Sequence, residues 1–179
     1  MFGLRRKNRN QIIVLADWDN LMLNCKIPSP DRLSIIEGFD QLVRQLAKVG
    51  EILNIFVFGP PQAVNLELED FRKLGIYAIP CPKIKDKAGQ ETDTVDQTLI
   101  EFGKKAISQI PNLTHLCLAS GDKDFIPLLR EAMRRGLKII IVAGSISSLS
   151  AELIPLADKD PATGRKMILT FSPSKEENP

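Results

Sequence analysis

At 179 residues, with 44% apolar and 26% charged side chains, the chain has the size and composition of one globular domain with a single sizeable core. Its formal charge of +2 comes from 24 basic and 22 acidic residues in mixed order, an excess too small to define a polyanionic partner by itself. Cys25, Cys81 and Cys117 are far apart with no CxxC pair, which argues against a zinc ribbon or disulfide framework and for a reducing, cytoplasmic setting; the apolar run after the basic start MFGLRRKNRN is too short for a signal peptide or membrane span.

Short β-branched runs alternate with segments of helical period, the signature of βα units around a mostly parallel sheet. The first strand is IIVLA at 12–16, ending at Asp17. Ser29, Pro30 and Asp31 read as a helix start leading into Leu33, Ile36, Leu42 and Leu46, with Gly50 closing the helix. ILNIFVF at 52–58 is a buried strand, and Pro60 and Pro61 break it ahead of the amphipathic AVNLELEDFRKLG, closed by Gly75. IYAIP at 76–80 is the third strand. From Pro80 to Glu91 no apolar period is present, so the segment reads as a loop displaying Lys83, Lys85 and Lys87 to solvent or to a polyanion. A helix from about Thr92 to Ser108 follows, with Val95, Leu99, Phe102 and Ala106 as its buried stripe. LTHLCLA at 113–119 is the fourth strand; a helix beginning near Asp124 turns Phe125, Leu128, Leu129 and Met133 inward and stops at Gly136; KIIIVAG is the fifth strand. A short helix near Ser148 to Ala157, an optional extra strand KMILTF and the tail SPSKEENP complete the chain. The division is a basic segment 1–10, one domain over 11–171 and a polar tail 172–179, without internal repeats.

Right-handed crossovers bring the carboxyl ends of all parallel strands to one edge of the sheet. Asp17, Asp122 and Asp124 share that edge, and Asp96 leans toward it from the first turns of its helix. Each also has an ordinary explanation: Asp17 and Asp122 as turn formers, Asp124 as an N-cap, Asp96 as a partner of the helix dipole. Together they form a costly cluster, since two carboxylates about 4 Å apart repel by roughly 4 kcal/mol at an effective dielectric of 20 unless protons or a cation compensate. The hard oxygen donors, with no cysteine or clustered histidine among them, favour Mg²⁺ or Mn²⁺ over Zn²⁺. Near them, Asn20 is either a helix cap or a ligand-positioning group, and Trp18 either packs at the crevice or stacks on a base. Ser120 and Ser145 fit turn chemistry or phosphate contact equally well. Lys83, Lys85, Arg130, Arg134, Arg135 and Lys138 are either solvated faces or basic walls for a nucleic-acid backbone. His115, inside a strand, reads as packed rather than catalytic.

The stretches ADWDNL, TVDQTL and SGDKDFIPLLREAMRRGLKIIIVAG resemble the three signature stretches of the NYN family, a group of PIN-like nucleases. The resemblance runs from about Ile12 to Ala157. It implies a three-layer, Rossmann-like α/β fold of PIN type, with a mostly parallel five-stranded sheet in the order 3-2-1-4-5 to which KMILTF can add a strand. It also implies metal-dependent cleavage of RNA phosphodiester bonds, read here as endonucleolytic. On this resemblance Asp17, Asp96, Asp122 and Asp124 match the family's acidic residues, and Asn20 matches the asparagine three positions after the first aspartate. The chain departs from the pattern at Trp18, where glycine is common, and at Glu91 to Thr94, which replace a lysine-glycine pair. RNA is the expected partner, contacted by Asn20, Trp18, Lys83, Lys85, Ser120 and Arg130; a homo-oligomer is left open. Two alternatives stand beside this one: a haloacid-dehalogenase-type phosphatase using the DxD pair Asp17 and Asp19, and an RNA-binding module without turnover.

Overall fold

The computed structural model describes residues 9–25, 32–85, 89 and 91–172. Its strands are β1 (Gln11–Asp17), β2 (Glu51–Gly59), β3 (Ile76–Pro80), β4 (Ile84–Lys85), β5 (Glu91–Thr92), β6 (His115–Ala119), β7 (Lys138–Ala143) and β8 (Ile168–Thr170). Six of them form one all-parallel sheet in the order β3-β2-β1-β6-β7-β8. The expected 3-2-1-4-5 order is therefore present, and KMILTF extends it by a sixth strand beside β7. The segment read as a loop from Pro80 to Glu91 instead carries the small antiparallel hairpin β4–β5.

β1 is the central strand, and Ile12, Ile13, Val14, Leu15 and Ala16 are all wholly buried, as an apolar run covered on both faces requires. Ile12, Val14 and Ala16 point into one core with Leu21, Phe39, Leu46 and Phe71, while Ile13 and Leu15 point into a second with Leu99, Leu128 and Leu129. The helices α1 (Trp18–Asn24), α2 (Arg32–Ala47), α3 (Pro61–Leu66) and α4 (Leu68–Lys73) supply the first face, and α5 (Val95–Gln109) and α6 (Ile126–Arg134) the second. This is a three-layer α/β fold. Among the described residues, no helix is long and apolar enough to cross a membrane.

Several helical details differ from the sequence reading. The expected start of α2 at Ser29, Pro30 and Asp31 lies outside the described residues. Its buried stripe is Ile35, Phe39, Leu42 and Leu46, while Leu33 is 71% exposed. At about 100° per residue those four side chains lie within an arc of roughly 60°, and Leu33 falls on the far side. AVNLELEDFRKLG is broken at Glu67 into α3 and α4, so that Val64 and Phe71 both reach the core and Leu66 remains outside. α5 starts at Val95 rather than Thr92 because Thr92 pairs with Ile84 in the hairpin, and the Asp93 carboxylate accepts the Val95 N–H at 2.9 Å. In α6 the inward residue is Ala132, not Met133. The helix expected near Ser148 to Ala157 is replaced by two single 3₁₀ turns, Ile146–Ser148 and Ile154–Leu156. Gly75 and Gly136 adopt φ of 70° and 79° just after α4 and α6, a left-handed conformation that only glycine reaches without strain.

Candidate metal centre at the carboxyl edge of the sheet

Asp17 is the last residue of β1 and also the N-cap of α1: its Oδ1 accepts the Asn20 N–H at 3.1 Å. Its Oδ2 accepts the Ser120 hydroxyl at 3.3 Å. The cap and the site are therefore one residue. Burial pushes the Asp17 carboxyl up to about 6, and the nearby charges of Asp96 and Asp19 act in the same direction; the bonds from Asn20 and Ser120 pull it back. At neutral pH the group is a buried anion without a cationic partner among these causes.

The turn after β6 is tied to the Asp17 end of β1 by the side chains of Asn20 and Ser120, in bonds that span 101 and 103 residues of sequence. Asn20 Oδ1 accepts the Gly121 N–H at 2.9 Å, and the Ser120 hydroxyl oxygen, itself donating to Asp17, accepts the Asp122 N–H at 3.2 Å. Asp122 then caps the 3₁₀ turn Lys123–Phe125, its Oδ1 accepting the Asp124 N–H at 2.9 Å. This reverses the expected division of labour: Asp122 is the cap and Asp124 lies inside the turn. Asn20 is a cross-link between loops rather than a cap.

Two expected substrate contacts, Ser120 and Trp18, need correction, and a third, Asn20, keeps only its side-chain amide nitrogen for a substrate. Ser120 is wholly buried and its hydroxyl is occupied by Asp17 and Asp122, so it holds the site together from beneath and cannot meet a phosphate. Trp18 is 7% exposed with its ring edge-on to Phe71 at 5.6 Å, so it packs and offers no face to a base. Asn20 has its carbonyl oxygen committed to Gly121. We expect Ser120→Ala to destabilise the fold by about 1–3 kcal/mol, because the Asp122 N–H and Asp17 Oδ2 both lose their buried partner. Chemical denaturation measures this, and NMR titration of Asp17 should show its midpoint moving further up once the lowering hydroxyl bond is gone.

Asp96 sits in the first turn of α5, on its exposed side. Its carboxyl is raised first by partial desolvation and then by the charges of Asp122, Asp124 and Asp93. Asp17, Asp96, Asp122 and Asp124 thus share one electrostatic field, as their common sheet edge implies. Asp19 and Asp93 also belong to it: desolvation and the charge of Asp93 raise Asp19, while Lys83 opposes them. These two acids are legible in the sequence only as extra carboxylates beside the matching positions. Among the described residues, no three acidic, histidine or cysteine side chains already converge as a closed cage for an ion. The donor set itself suits a hard divalent cation, because the oxygens belong to aspartates that repel one another. His115 lies at the far end of β6, buried, with Nδ1 2.7 Å from Thr114 Oγ1.

The basic residues are less concentrated than the sequence allowed. Lys83, Lys85 and Arg130 are exposed, and Lys83 is near enough to Asp19 to act on it. Arg134 and Arg135 both bind Glu131 at 2.8 Å, holding its carboxyl down to about 2, so they are engaged in surface pairs. Lys138 begins β7 and so stands at the opposite end of the sheet. Lys87 is outside the described residues. Ser145 hydroxyl bonds are taken up locally, in a capping box with Ser148 and a 3.0 Å contact to Ser147.

No curated protein matches this chain. A crystal structure of a protein of unknown function from Vibrio parahaemolyticus superposes with a TM-score of 0.69 at 17% identity, covering 94% of this chain and 97% of that one, a likeness of fold. The NYN domain family model matches residues 11–160, a span that holds all four aspartates of the carboxyl edge. The chain accordingly belongs to the NYN domain family of PIN-like nucleases.

Proposed function

We propose that the protein is a metal-dependent ribonuclease that cuts RNA phosphodiester bonds endonucleolytically, with Asp17, Asp96, Asp122 and Asp124 holding Mg²⁺ or Mn²⁺. The observation that carries this reading is the shared field at the carboxyl edge: the Asp17 and Asp96 carboxyls are both raised, each with other aspartates among the causes. A divalent ion bound there relieves that repulsion, neutralises phosphate oxygens and activates water. Asp17 and Asp122 supply fixed anchor points, because Ser120 and Asn20 lock their loops together. Asp96 and Asp124 are exposed and free to complete the ligand set or orient the attacking water. The exposed cations Lys83, Lys85 and Arg130 are the candidates for contact with the RNA backbone, where each would contribute to affinity without reading sequence.

The test is cleavage of single-stranded and structured RNA with Mg²⁺, with Mn²⁺ and with chelator. Asp122→Asn should reduce metal-supported cleavage by at least about a hundredfold, in the range typical of losing one electrostatic element of an active site. Unchanged cleavage in Asp17→Asn and Asp122→Asn would sink the proposal. RNA binding without any cleavage would instead identify a non-catalytic module, and an aspartyl-phosphate trapped on Asp17 from an aryl phosphate would identify a phosphatase.

A further inference from the structure

A cavity of about 560 Å³ opens at the end of the sheet opposite the aspartates, a volume in the range that holds small organic ligands. It lies where the parallel strands begin: His115 is the first residue of β6, Lys138 the first of β7, and Met167 directly precedes β8. Since β1 runs seven residues between the two ends, this cavity and the carboxyl edge are about 20 Å apart. It is a separate place on the molecule, and nothing in the nuclease reading uses it.

Its lining combines three chemistries. Ile140, Met167 and Leu169 make an apolar wall. Lys48, Lys138 and Lys166 contribute three positive charges against the single carboxylate of Asp160, whose Oδ1 already accepts the Ala162 and Thr163 N–H groups at 2.7 and 3.1 Å. Lys48 and Lys138 form no ion pair with any described residue, whereas Lys166 is held in place by the Pro155 and Ala157 carbonyls at 3.0 and 2.6 Å, with one of its three N–H donors left over.

The third element is His115, 2% exposed and part of the cavity lining. Thr114 Oγ1 donates to the Gln11 carbonyl at 3.0 Å and accepts the Gln11 N–H at 2.7 Å, so its contact with His115 Nδ1 at 2.7 Å is satisfied by a proton on Nδ1. That tautomer leaves Nε2 as a hydrogen-bond acceptor without a partner among the described residues. Burial, reinforced by the charge of Lys138, keeps the ring neutral, which preserves this acceptor.

We propose that this cavity is a binding site for a small organic phosphate that carries a flat apolar body and a hydrogen-bond donor, of nucleoside-monophosphate type. The lysines take the phosphate, the Ile140–Met167–Leu169 wall takes the body, and His115 Nε2 accepts from its N–H or O–H. Cation excess alone would select any anion, and the apolar wall alone any hydrophobe. The pairing of both with an acceptor on the cavity lining that has no partner among the described residues is what narrows the class.

Adenosine monophosphate, inorganic phosphate and adenosine serve as probes, followed by calorimetry and by methyl NMR of methionine-labelled protein. The expected result is saturable binding of the monophosphate, with phosphate and adenosine each at least about tenfold weaker, and a shift of the Met167 methyl without shifts of Met22 or Met133. Charge reversal at the exposed pair, Lys48→Glu with Lys138→Glu, should weaken binding by at least about tenfold, as expected when two attractive charges near a dianion become repulsive. Asp17→Asn should leave it unaltered, which separates this site from the acidic edge whether or not that edge cleaves RNA. Absence of binding, equal binding of inorganic phosphate alone, or a response at Met22 instead of Met167 would overturn the proposal.

Discussion

Asp17→Asn is expected to raise thermal stability at pH 8 while removing RNA cleavage. The side chain is 6% exposed and its carboxyl is pushed up from 3.8 to about 6, with burial the largest cause. A folded-state value raised above the unfolded one means that the folded protein holds the proton more tightly. The stabilisation associated with this group is therefore complete below about pH 4 and is lost as pH rises through about 6. Above that range the wild type carries a buried charge worth roughly 2–3 kcal/mol against folding, at about 1.4 kcal/mol per unit. Asparagine removes the charge and keeps the shape. Its Oδ1 can still accept the Asn20 N–H, asparagine being as good an N-cap as aspartate, and its amide can donate to Ser120, whose hydroxyl turns to suit. Melting curves of both proteins should coincide near pH 4 and separate by several degrees above pH 7, the variant higher. Cleavage should fall by at least about a hundredfold, because the proposed metal centre would lose one of the carboxylates that hold its cation. A variant that is both inactive and less stable at pH 8 would show Asp17 to be primarily structural.

Gly121→Ala should be the most damaging single-methyl change at the site. A Cβ built on Gly121 would run into the Ser148 carbonyl oxygen, and it would lie 3.1 Å from the Ser148 carbonyl carbon and 3.2 Å from Leu149 Cα. These are backbone atoms, and the same loop is fixed by the Ser150 N–H donating to the Gly121 carbonyl at 3.0 Å. Neither side can move without breaking that bond or the one from the Gly121 N–H to Asn20. The expected destabilisation is about 2–4 kcal/mol, at the upper end for overpacking with a lost buried hydrogen bond added. Because Asp122 is the next residue, its displacement should also lower cleavage in whatever fraction remains folded. Denaturant unfolding with a cleavage assay under folding conditions measures both; wild-type stability would show that the loop after β7 yields easily.

Much of the fold was legible because its signals are strong and local. Apolar strands covered on both faces, separated by helical segments, leave few alternatives to a parallel sheet, and that topology alone puts Asp17 and Asp122 on one edge. The details in which the structure differs depend on information not present in local pattern. Leu33 and Ile36 have the right residue type for the face of α2, but the phase that closes with Leu42 and Leu46 belongs to Ile35 and Phe39. Met133 and Ala132 are adjacent on α6, and the packing against the sheet selects the smaller one. The exchange of roles between Asp122 and Asp124 follows from a two-residue difference in where the helical turn is capped. Asn20 and Ser120 were recognisable as polar residues near the acids. Their actual partners, across 101 and 103 residues, exist only once β1 and β6 lie side by side. Trp18 illustrates the same limit, since its place in the core is settled by Phe71 on a helix distant in sequence.

On the proposed function, the carboxyl edge of this sheet is a divalent-metal centre. Diffraction from crystals soaked in Mn²⁺, with anomalous scattering to mark the ion, tests it most directly. The predicted result is an anomalous peak about 2.1 Å from carboxylate oxygens of Asp17 and Asp122, with Asp96 or Asp124 drawn into its shell, absent from Asp17→Asn crystals. Mn²⁺ bound elsewhere on the chain, or no ion at this edge under conditions that support Mn²⁺-dependent RNA cleavage, would contradict it.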